Sequence, residues 1–308
     1  MIKIVRKDKF IVITNNNFKV VLSMLGASIV SIYIGEDILT MTPISLEELN
    51  RKDIYYGKTI GPIANRIKDG LVKIDNKEYR FSLNEKGVSL HSGDIGLSNK
   101  LFVSNIQDNK VIFTYTQKIK DVTISYGVAY TFNNDYQIRI DYVVRVSNKF
   151  MINLTNHSYF TLGEQNIDNL SLQIKADSFI ETEKETLLPL ISRPIIDCLD
   201  FNNEKLIIKD INDPYLKNHR SNGYDHSFVL SEKEIKLESS KYVLDIKTDY
   251  PCVQIYSDNY IDNVKTINSN RLKERGIAIE PTDNMLNRPI IDKDEVYQRY
   301  IIYNFKKK

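Results

Sequence analysis

The 308-residue chain has few cysteines, glycines and prolines and no large excess of charge of either sign. Each of these shortages excludes a class of protein or partner. Its two cysteines, Cys198 and Cys252, lie far apart and in no metal-type spacing, so a reduced, cytoplasmic setting is the simplest interpretation. Twelve glycines and eight prolines are too few for long flexible linkers. The 42 basic and 40 acidic residues nearly balance, so neither nucleic acid nor an anionic membrane is expected as a partner.

Long apolar segments are also missing. Residues 1–9 lack the apolar block of a secretion signal. The most apolar stretch, residues 20–34, is shorter than a membrane span and is interrupted by one glycine and three serines. It predicts two strands with a bend near Gly26.

Apolar and polar residues alternate along much of the chain, and this pattern predicts β-strands. In residues 136–146 the apolar side chains occupy every second position, as in a half-buried antiparallel strand. Similar runs predict strands at residues 72–74, 79–83, 111–117, 126–132, 170–176, 242–248 and 252–257.

Helical patterns are scarce. Ser45 and Glu48 form a capping box that predicts a short helix up to about Lys52. No alternation of strands with helices appears, so a parallel sheet is not expected. We therefore predict an all-β fold with few short helices, a single large antiparallel β-sandwich domain over residues 1–308.

One of the four histidines lies in a strand-like run, residues 155–162. On a strand, successive side chains point to opposite faces, so His157 and Tyr159 share a face with Thr155, while Asn156 and Ser158 lie on the other. An imidazole held on a rigid strand beside hydroxyl groups suits proton transfer to a polyhydroxylated ligand. A structural histidine with its hydrogen bonds satisfied would explain the same pattern.

Four further segments carry polar groups that a generic surface does not explain. Arg66, between apolar neighbours, either grips two ligand oxygens or pairs with a carboxylate at the edge of the core. His91 precedes a glycine turn and is either a binding group or a histidine bonded to its own turn. Asp225 and His226 begin a strand and face opposite sides, so one is expected to meet a ligand and the other to support structure. Glu280 ends an apolar strand, where it is either a base whose pKa burial raises or a carboxylate turned toward water.

Other chemistries find little support. His219 lies in a polar loop, and we expect it to be solvated. No histidine and carboxylate have the close spacing of a known metal motif, so no metal is predicted, although ligands from separate strands stay an alternative. Neither a serine nucleophile elbow nor a glycine-rich phosphate loop is present.

Taken together and in this order, five segments resemble the aldose 1-epimerase (galactose mutarotase) family. The matching strings are ANRI (64–67), LHSG (90–93), NHSYF (156–160), DHSFVL (225–230) and GIAIEP (276–281). They lie within residues 61–289 and so cover most of the chain. The resemblance implies the family's fold, a large antiparallel β-sandwich called the galactose mutarotase-like supersandwich, which agrees with the strand pattern.

The resemblance also implies an activity and a role for each matching residue. Glu280 resembles the family's general base and His157 its general acid. The residues that resemble its ligands for sugar hydroxyls are Arg66, His91 and Asp225, with Asn65 as a neighbour. The implied reaction, without cofactor, interconverts the α and β anomers of a free hexose such as galactose or glucose, and the protein would be a monomer or homodimer.

Two alternatives remain open: an epimerase of a hexose phosphate or disaccharide on the same fold, and a sugar-binding protein without turnover. The chain also departs from the family's pattern. Phe102 stands near where a tryptophan is usual, Thr161 stands where an asparagine is common, and the segment after Glu280 is shorter. We expect these differences at the rim of the site, where they would affect the choice of sugar more than the chemistry.

Overall fold

The computed structural model describes residues 2–133 and 135–308. Its first five strands follow one another in a five-stranded antiparallel sheet: β1 (Lys3–Lys7), β2 (Phe10–Asn15), β3 (Phe18–Ser23), β4 (Ser28–Ile34) and β5 (Asp37–Ile38). The predicted bend lies between β3 and β4, where Gly26 has a φ of +65°, a conformation that favours glycine.

Short elements connect this sheet to the rest of the chain: α1 (Leu46–Asn50), β6 (Thr59–Ile60), β7 (Arg66–Lys68), β8 (Leu71–Ile74), β9 (Lys77–Arg80) and β10 (Val88–Leu90). The Ser45 hydroxyl accepts a hydrogen bond from the Glu48 N–H at 3.3 Å, so the predicted helix cap is confirmed. Strand β7 pairs with β10 and places Arg66 opposite Leu90, next to His91 in the chain.

The remaining strands are longer on average, and most of them belong to a 13-stranded sheet. They are β11 (Val103–Gln107), β12 (Lys110–Ile119), β13 (Val122–Phe132), β14 (Gln137–Val146), β15 (Phe150–Met151), β16 (Thr155–Asn156), β17 (Tyr159–Phe160), β18 (Ser171–Thr182), β19 (Pro189–Pro194), β20 (Lys205–Leu206), β21 (Asp225–Glu238), β22 (Tyr242–Thr248), β23 (Cys252–Tyr256), β24 (Ile277–Thr282), β25 (Ile290–Ile291) and β26 (Tyr297–Lys307). The order across this sheet is β11-β12-β13-β14-β26-β22-β21-β23-β24-β17, and β18 pairs with β19, β20 and β21.

Helical segments are short throughout the described residues. The second α-helix, α2 (Pro214–Lys217), lies before β21, and single 3₁₀ turns occupy Gly93–Ile95, Leu97–Asn99, Ile167–Asn169, Asp197–Leu199 and Ile207–Asp210. Within residues 2–133 and 135–308, neither α-helix is long and apolar enough to cross a bilayer.

The two large sheets pack face to face. The ring of Phe18 in β3 lies 6.3 Å from the ring of Phe305 in β26, and the Tyr130 hydroxyl of β13 donates to the Ala27 carbonyl at 2.6 Å. Alternate residues of β14, such as Ile138 and Ile140, are fully buried, as the period of two requires. The predicted all-β antiparallel sandwich with few short helices is confirmed.

Candidate active site

One edge of the large sheet carries polar side chains into a cavity. Strands β21, β23 and β24 are neighbours, with Asp225 opposite Tyr256 and Gln254 opposite Glu280. The cavity is lined by Asp53, Ile54, Tyr55, Tyr56, Asn65, Arg66, Glu85, Leu90, His91, His157, Tyr159, Asp225, Gln254, Tyr256, Asp258, Tyr260, Asp262 and Glu280. All six residues that the sequence singled out for catalysis or sugar binding are therefore found around one cavity.

Glu280 is buried in β24 and is only 4% exposed. The strand continues to Thr282, so the prediction that Glu280 ends the strand is wrong, but the residue does face the cavity. Burial raises the pKa of its carboxyl well above the usual value; the negative charge of Asp225 adds to this, and the positive charge of Arg66 opposes it. A carboxyl group in this environment exchanges its proton more readily near neutral pH.

The predicted strand around His157 is divided into β16 and β17, because His157 pairs with a loop instead. Its N–H donates to the Lys58 carbonyl at 3.0 Å, and the Gly57 N–H donates to its carbonyl at 2.9 Å. The Asn156 side chain also donates to the Gly57 carbonyl, at 2.9 Å. Gly57 has a φ of +65°, and a Cβ there would lie 1.7 Å from the Ile29 carbonyl oxygen, so only glycine fits.

His157 and Glu280 are in direct contact. The distance from His157 Nε2 to Glu280 Oε1 is 3.3 Å, and both side chains are almost fully buried. Burial lowers the pKa of His157 to about 3. Its Nδ1 has no hydrogen-bond partner within the described residues, which also disfavours a long-lived imidazolium. Two ionisable groups on remote segments of the chain are thus in direct contact.

Asn65 and His91 are joined by two hydrogen bonds, one between their backbones and one from the Asn65 backbone to the His91 ring. The Asn65 N–H donates to His91 Nδ1 at 3.2 Å, and the His91 N–H donates to the Asn65 carbonyl at 3.1 Å. Both residues have a positive φ, 65° and 53°, which is uncommon outside glycine and frequent at functional sites. Because Nδ1 of His91 accepts a hydrogen bond, its neutral ring carries the proton on Nε2 and can donate it to an oxygen.

Arg66 is held by two carboxylates. Its Nε donates to Glu85 at 2.8 Å, and its Nη1 lies 3.5 Å from Asp225. Gln254 in turn donates to Asp225 at 2.6 Å and accepts from the Asn65 side chain at 3.3 Å. The interpretation of Arg66 as paired with carboxylates is confirmed, whereas its role in gripping ligand oxygens stays a prediction for a guanidinium that lines the cavity.

The adjacent residues Asp225 and His226 separate as expected. Asp225 lines the cavity, whereas His226 accepts the Asp225 N–H at its Nδ1 and packs beside Tyr215 on the other side. His219 lies in the same cluster, 5.8 Å from the His226 ring and only 6% exposed. The prediction of a solvated His219 is wrong because α2 folds its polar loop onto the sheet, and the Tyr215 carbonyl contacts its ring nitrogen at 2.9 Å.

Several cavity residues were not found from the sequence. Tyr55 packs against both histidines, with ring centroids 5.7 Å from His157 and 4.6 Å from His91. The sequence pattern could have identified Gln254, since it is an amide inside the otherwise apolar strand β23. Tyr55 and Glu85 lie in loops, where no period marks which side chains point inward.

The differences from the family's pattern are not all at the rim. Phe102 and Thr161 are fully buried and outside the cavity, so the prediction is wrong for these two. Phe102 packs on Tyr115 at a ring distance of 5.4 Å, and the Thr161 hydroxyl donates to the Ile38 carbonyl. The aromatic surface next to the two histidines comes from Tyr55 instead.

A second network supports the far side of the cavity. Arg275 is 1% exposed and donates to both oxygens of Asp258, at 2.7 and 3.0 Å. It also donates to Asp262 at 3.0 Å and to the Tyr56 hydroxyl at 2.9 Å. Burial raises the pKa of Asp258 to about 6, and the Arg275 charge opposes that rise. Arg275 therefore ties together three residues that line the cavity.

The two cysteines are free and buried. Among the residues that the structure describes, no three His, Cys, Asp or Glu side chains are grouped as metal ligands would be.

This chain is similar in sequence to known sugar epimerases. Human (Homo sapiens) galactose mutarotase is 31% identical over 231 residues, which cover 70% of this chain and 66% of that protein, just under two thirds of its length. Aldose 1-epimerase of Haemophilus influenzae is 26% identical over 243 residues, 73% of this chain and 71% of that protein.

The fold is also found among solved structures. Galactose 1-epimerase from Lactobacillus acidophilus NCFM superposes with a TM-score of 0.87 at 22% identity, over 100% of this chain and 99% of that one. A GalM/aldose epimerase homologue from C. elegans gives 0.84 at 23% identity, over 97% and 98% of the two chains. The model for the family described as aldose 1-epimerase matches residues 9–304. Because this match spans nearly the whole sequence, the chain belongs to the aldose 1-epimerase family of isomerases, as its five sequence segments predicted.

Proposed function

We propose that this chain interconverts the α and β anomers of a free hexose, with galactose or glucose as substrate. The observation that carries the proposal is the 3.3 Å contact between His157 Nε2 and Glu280 Oε1 in a cavity lined by hydrogen-bonding side chains. Family membership supports it, since relatives of this chain are named galactose mutarotase and aldose 1-epimerase.

The reaction requires one group that removes the proton of the anomeric hydroxyl and a second that protonates the ring oxygen. We assign the first role to Glu280 and the second to His157. Cleavage of the C1–O5 bond leaves an aldehyde, rotation about C1–C2 presents its other face, and attack by O5 closes the ring as the other anomer. The proton transfers reverse on closure. Arg66, His91, Asp225 and Asn65 would hold the remaining hydroxyls.

The protonation states of His157 and Glu280 fit this reaction cycle. Ring opening starts from a carboxylate beside an imidazolium and ends with a carboxylic acid beside a neutral imidazole. Burial raises the pKa of Glu280 and lowers that of His157 to about 3, so the pocket favours this second, uncharged form. Both forms carry one proton, although not the same one: during ring opening His157 gives its proton to O5 and Glu280 receives that of the anomeric hydroxyl. Without sugar, the two forms can interconvert by proton transfer across the 3.3 Å contact. The buried environment therefore favours the protonation state that accompanies the open-chain sugar.

The pH dependence of the activity follows from the raised pKa of Glu280 and the lowered pKa of His157. As the pH rises through the raised pKa of Glu280, the pair loses its only proton and no acid remains, so activity should fall on the alkaline side. A second proton adds only near the His157 pKa of about 3, so no loss is expected around the ordinary histidine pKa. Polarimetric kcat/KM, corrected for uncatalysed mutarotation at each pH, measures the profile. A half-loss of activity near pH ~6.5 on the acid side would contradict it.

Polarimetry on freshly dissolved α-galactose and α-glucose tests the activity itself. We expect relaxation to equilibrium to accelerate in proportion to protein concentration. Equal relaxation rates with and without protein, over several aldoses, would refute the proposal. Saturable binding without faster relaxation would instead favour a sugar-binding protein, although such a protein has no need of a paired acid and base.

The charge of the cavity favours a free hexose over a hexose phosphate. Six carboxyl groups line it and only one guanidinium does, and that guanidinium is already paired with Glu85 and Asp225. A phosphate group would therefore meet carboxyl groups and no unpaired cation among the described residues that line the cavity. Comparison of rates on glucose and glucose 6-phosphate separates the two substrates, and maltose or lactose tests the disaccharide alternative.

Four expectations from the sequence remain part of the proposal. They are a single domain over residues 1–308, a monomer or homodimer, a cytoplasmic location and a reaction without cofactor. Size-exclusion chromatography with light scattering measures the oligomeric state directly.

A further inference from the structure

Glu85 lies where it can control the charge of whatever enters the cavity. Its carboxylate accepts from Arg66 Nε at 2.8 Å and lies 3.8 Å from Arg220 Nη1. Arg66 is buried, whereas Arg220 is about one third exposed at the surface. One carboxylate thus lies close to two guanidinium groups, Arg66 and Arg220, which could otherwise attract an anion.

The turn that carries Glu85 is held firmly. Glu85 and Val88 exchange two backbone hydrogen bonds at 3.3 Å, and the Asn84 side chain bonds both the N–H and the carbonyl of Leu90. A carboxylate on such a turn keeps its position when a ligand enters. Its negative charge therefore acts as a fixed part of the cavity wall.

We propose that Glu85 is a specificity-determining residue that makes this site select uncharged aldoses over anionic ones, such as hexuronates and hexose phosphates. It neutralises Arg66 and Arg220, and it adds like-charge repulsion for an anionic ligand in a poorly hydrated cavity. The inference rests on the proposed function, because it assumes that the sugar binds in the cavity that Glu85 lines.

The test uses two ligands of the same shape and different charge, glucuronate and glucuronamide. Titration calorimetry measures the affinity of each without requiring turnover. We expect the native protein to bind the amide roughly tenfold or more tightly than the carboxylate. In Glu85→Gln the ratio of the two affinities should narrow to about threefold or less, and in Glu85→Asp it should stay near the native value.

A loss of Arg66 positioning would weaken the binding of glucuronate at least as much as that of glucuronamide, since Arg66 is a cation. It therefore cannot narrow the ratio, and a narrower ratio reports the removed charge of Glu85. Glu181→Gln is the matched control, since Glu181 pairs with Arg193 at 2.9 Å on the surface and should not change the ratio. Equal affinity of the native protein for both ligands, or an unchanged ratio in Glu85→Gln, overturns the proposal. Absence of catalysed mutarotation of glucose refutes the proposed function instead, and the calorimetric ratio still decides the role of Glu85.

Discussion

Replacement of Glu280 by glutamine is expected to lower kcat for hexose mutarotation by about 10²–10⁴-fold. Glutamine has nearly the same shape and can occupy the buried site in β24, but it cannot take a proton from the anomeric hydroxyl. Because the amide still forms hydrogen bonds, KM should change much less than kcat. Polarimetric initial rates over a range of galactose concentrations give both constants.

His157→Asn should cause a loss of similar size, since the proposed reaction needs an acid as well as a base and the two groups lie 3.3 Å apart. The double variant should lose little more than the worse single variant, because residues that act as a unit are not additive. Glu234→Gln, at an exposed ion pair with Lys247, serves as the control and should keep native activity. An active double variant would show that other groups perform the proton transfers.

Replacement of Arg275 by methionine is expected to cost about 3–5 kcal/mol of unfolding free energy. The change leaves Asp258 as a buried charge that has lost its two hydrogen bonds from Arg275, at 2.7 and 3.0 Å. The Tyr56 hydroxyl and Asp262 lose the same partner, so the far wall of the cavity should loosen as well. Urea unfolding followed by circular dichroism measures the loss.

Arg271→Met is the matched control for Arg275. Arg271 forms two hydrogen bonds to Asp168, at 2.9 and 2.6 Å, but both side chains are more than one third exposed. Its loss should cost at most about 1 kcal/mol. The Arg275→Met deficit should shrink as the pH falls, since the folded-state pKa of Asp258 lies above its unfolded value and protonation removes the buried charge. Equal losses in the two variants would mean that the buried network contributes no more than a surface pair.

The strands of the sandwich were predictable because their period is local. In β14 buried positions alternate with partly or fully exposed ones along ten residues, and β22 has the predicted bounds, Tyr242–Thr248. The region around His157 behaved differently, since its backbone pairs with Gly57 and Lys58, a hundred residues away in the chain. No local pattern can report a partner at that distance.

The residues of the site also divide into those that the sequence predicted and those that it did not. Glu280 stood out as a carboxylate in an apolar strand, where a polar group needs a partner, and His157 as an imidazole in a strand-like run. Tyr55, Glu85 and Arg275 had no such context, and their positions depend on loops that pack against distant strands. His219 shows the opposite error, because a polar loop can still be buried when an element such as α2 packs against the sheet.

The sequence by itself determined the all-β class, the family and the residue types available for acid–base chemistry, because alternation and short motifs are local properties of the chain. Only the tertiary structure decided that a histidine and a glutamate 123 positions apart meet at 3.3 Å, and that Glu85 neutralises the arginine beside them. Proton sharing and charge pairing depend on distance and burial, and both are set by the packing of strands and loops that are remote in sequence.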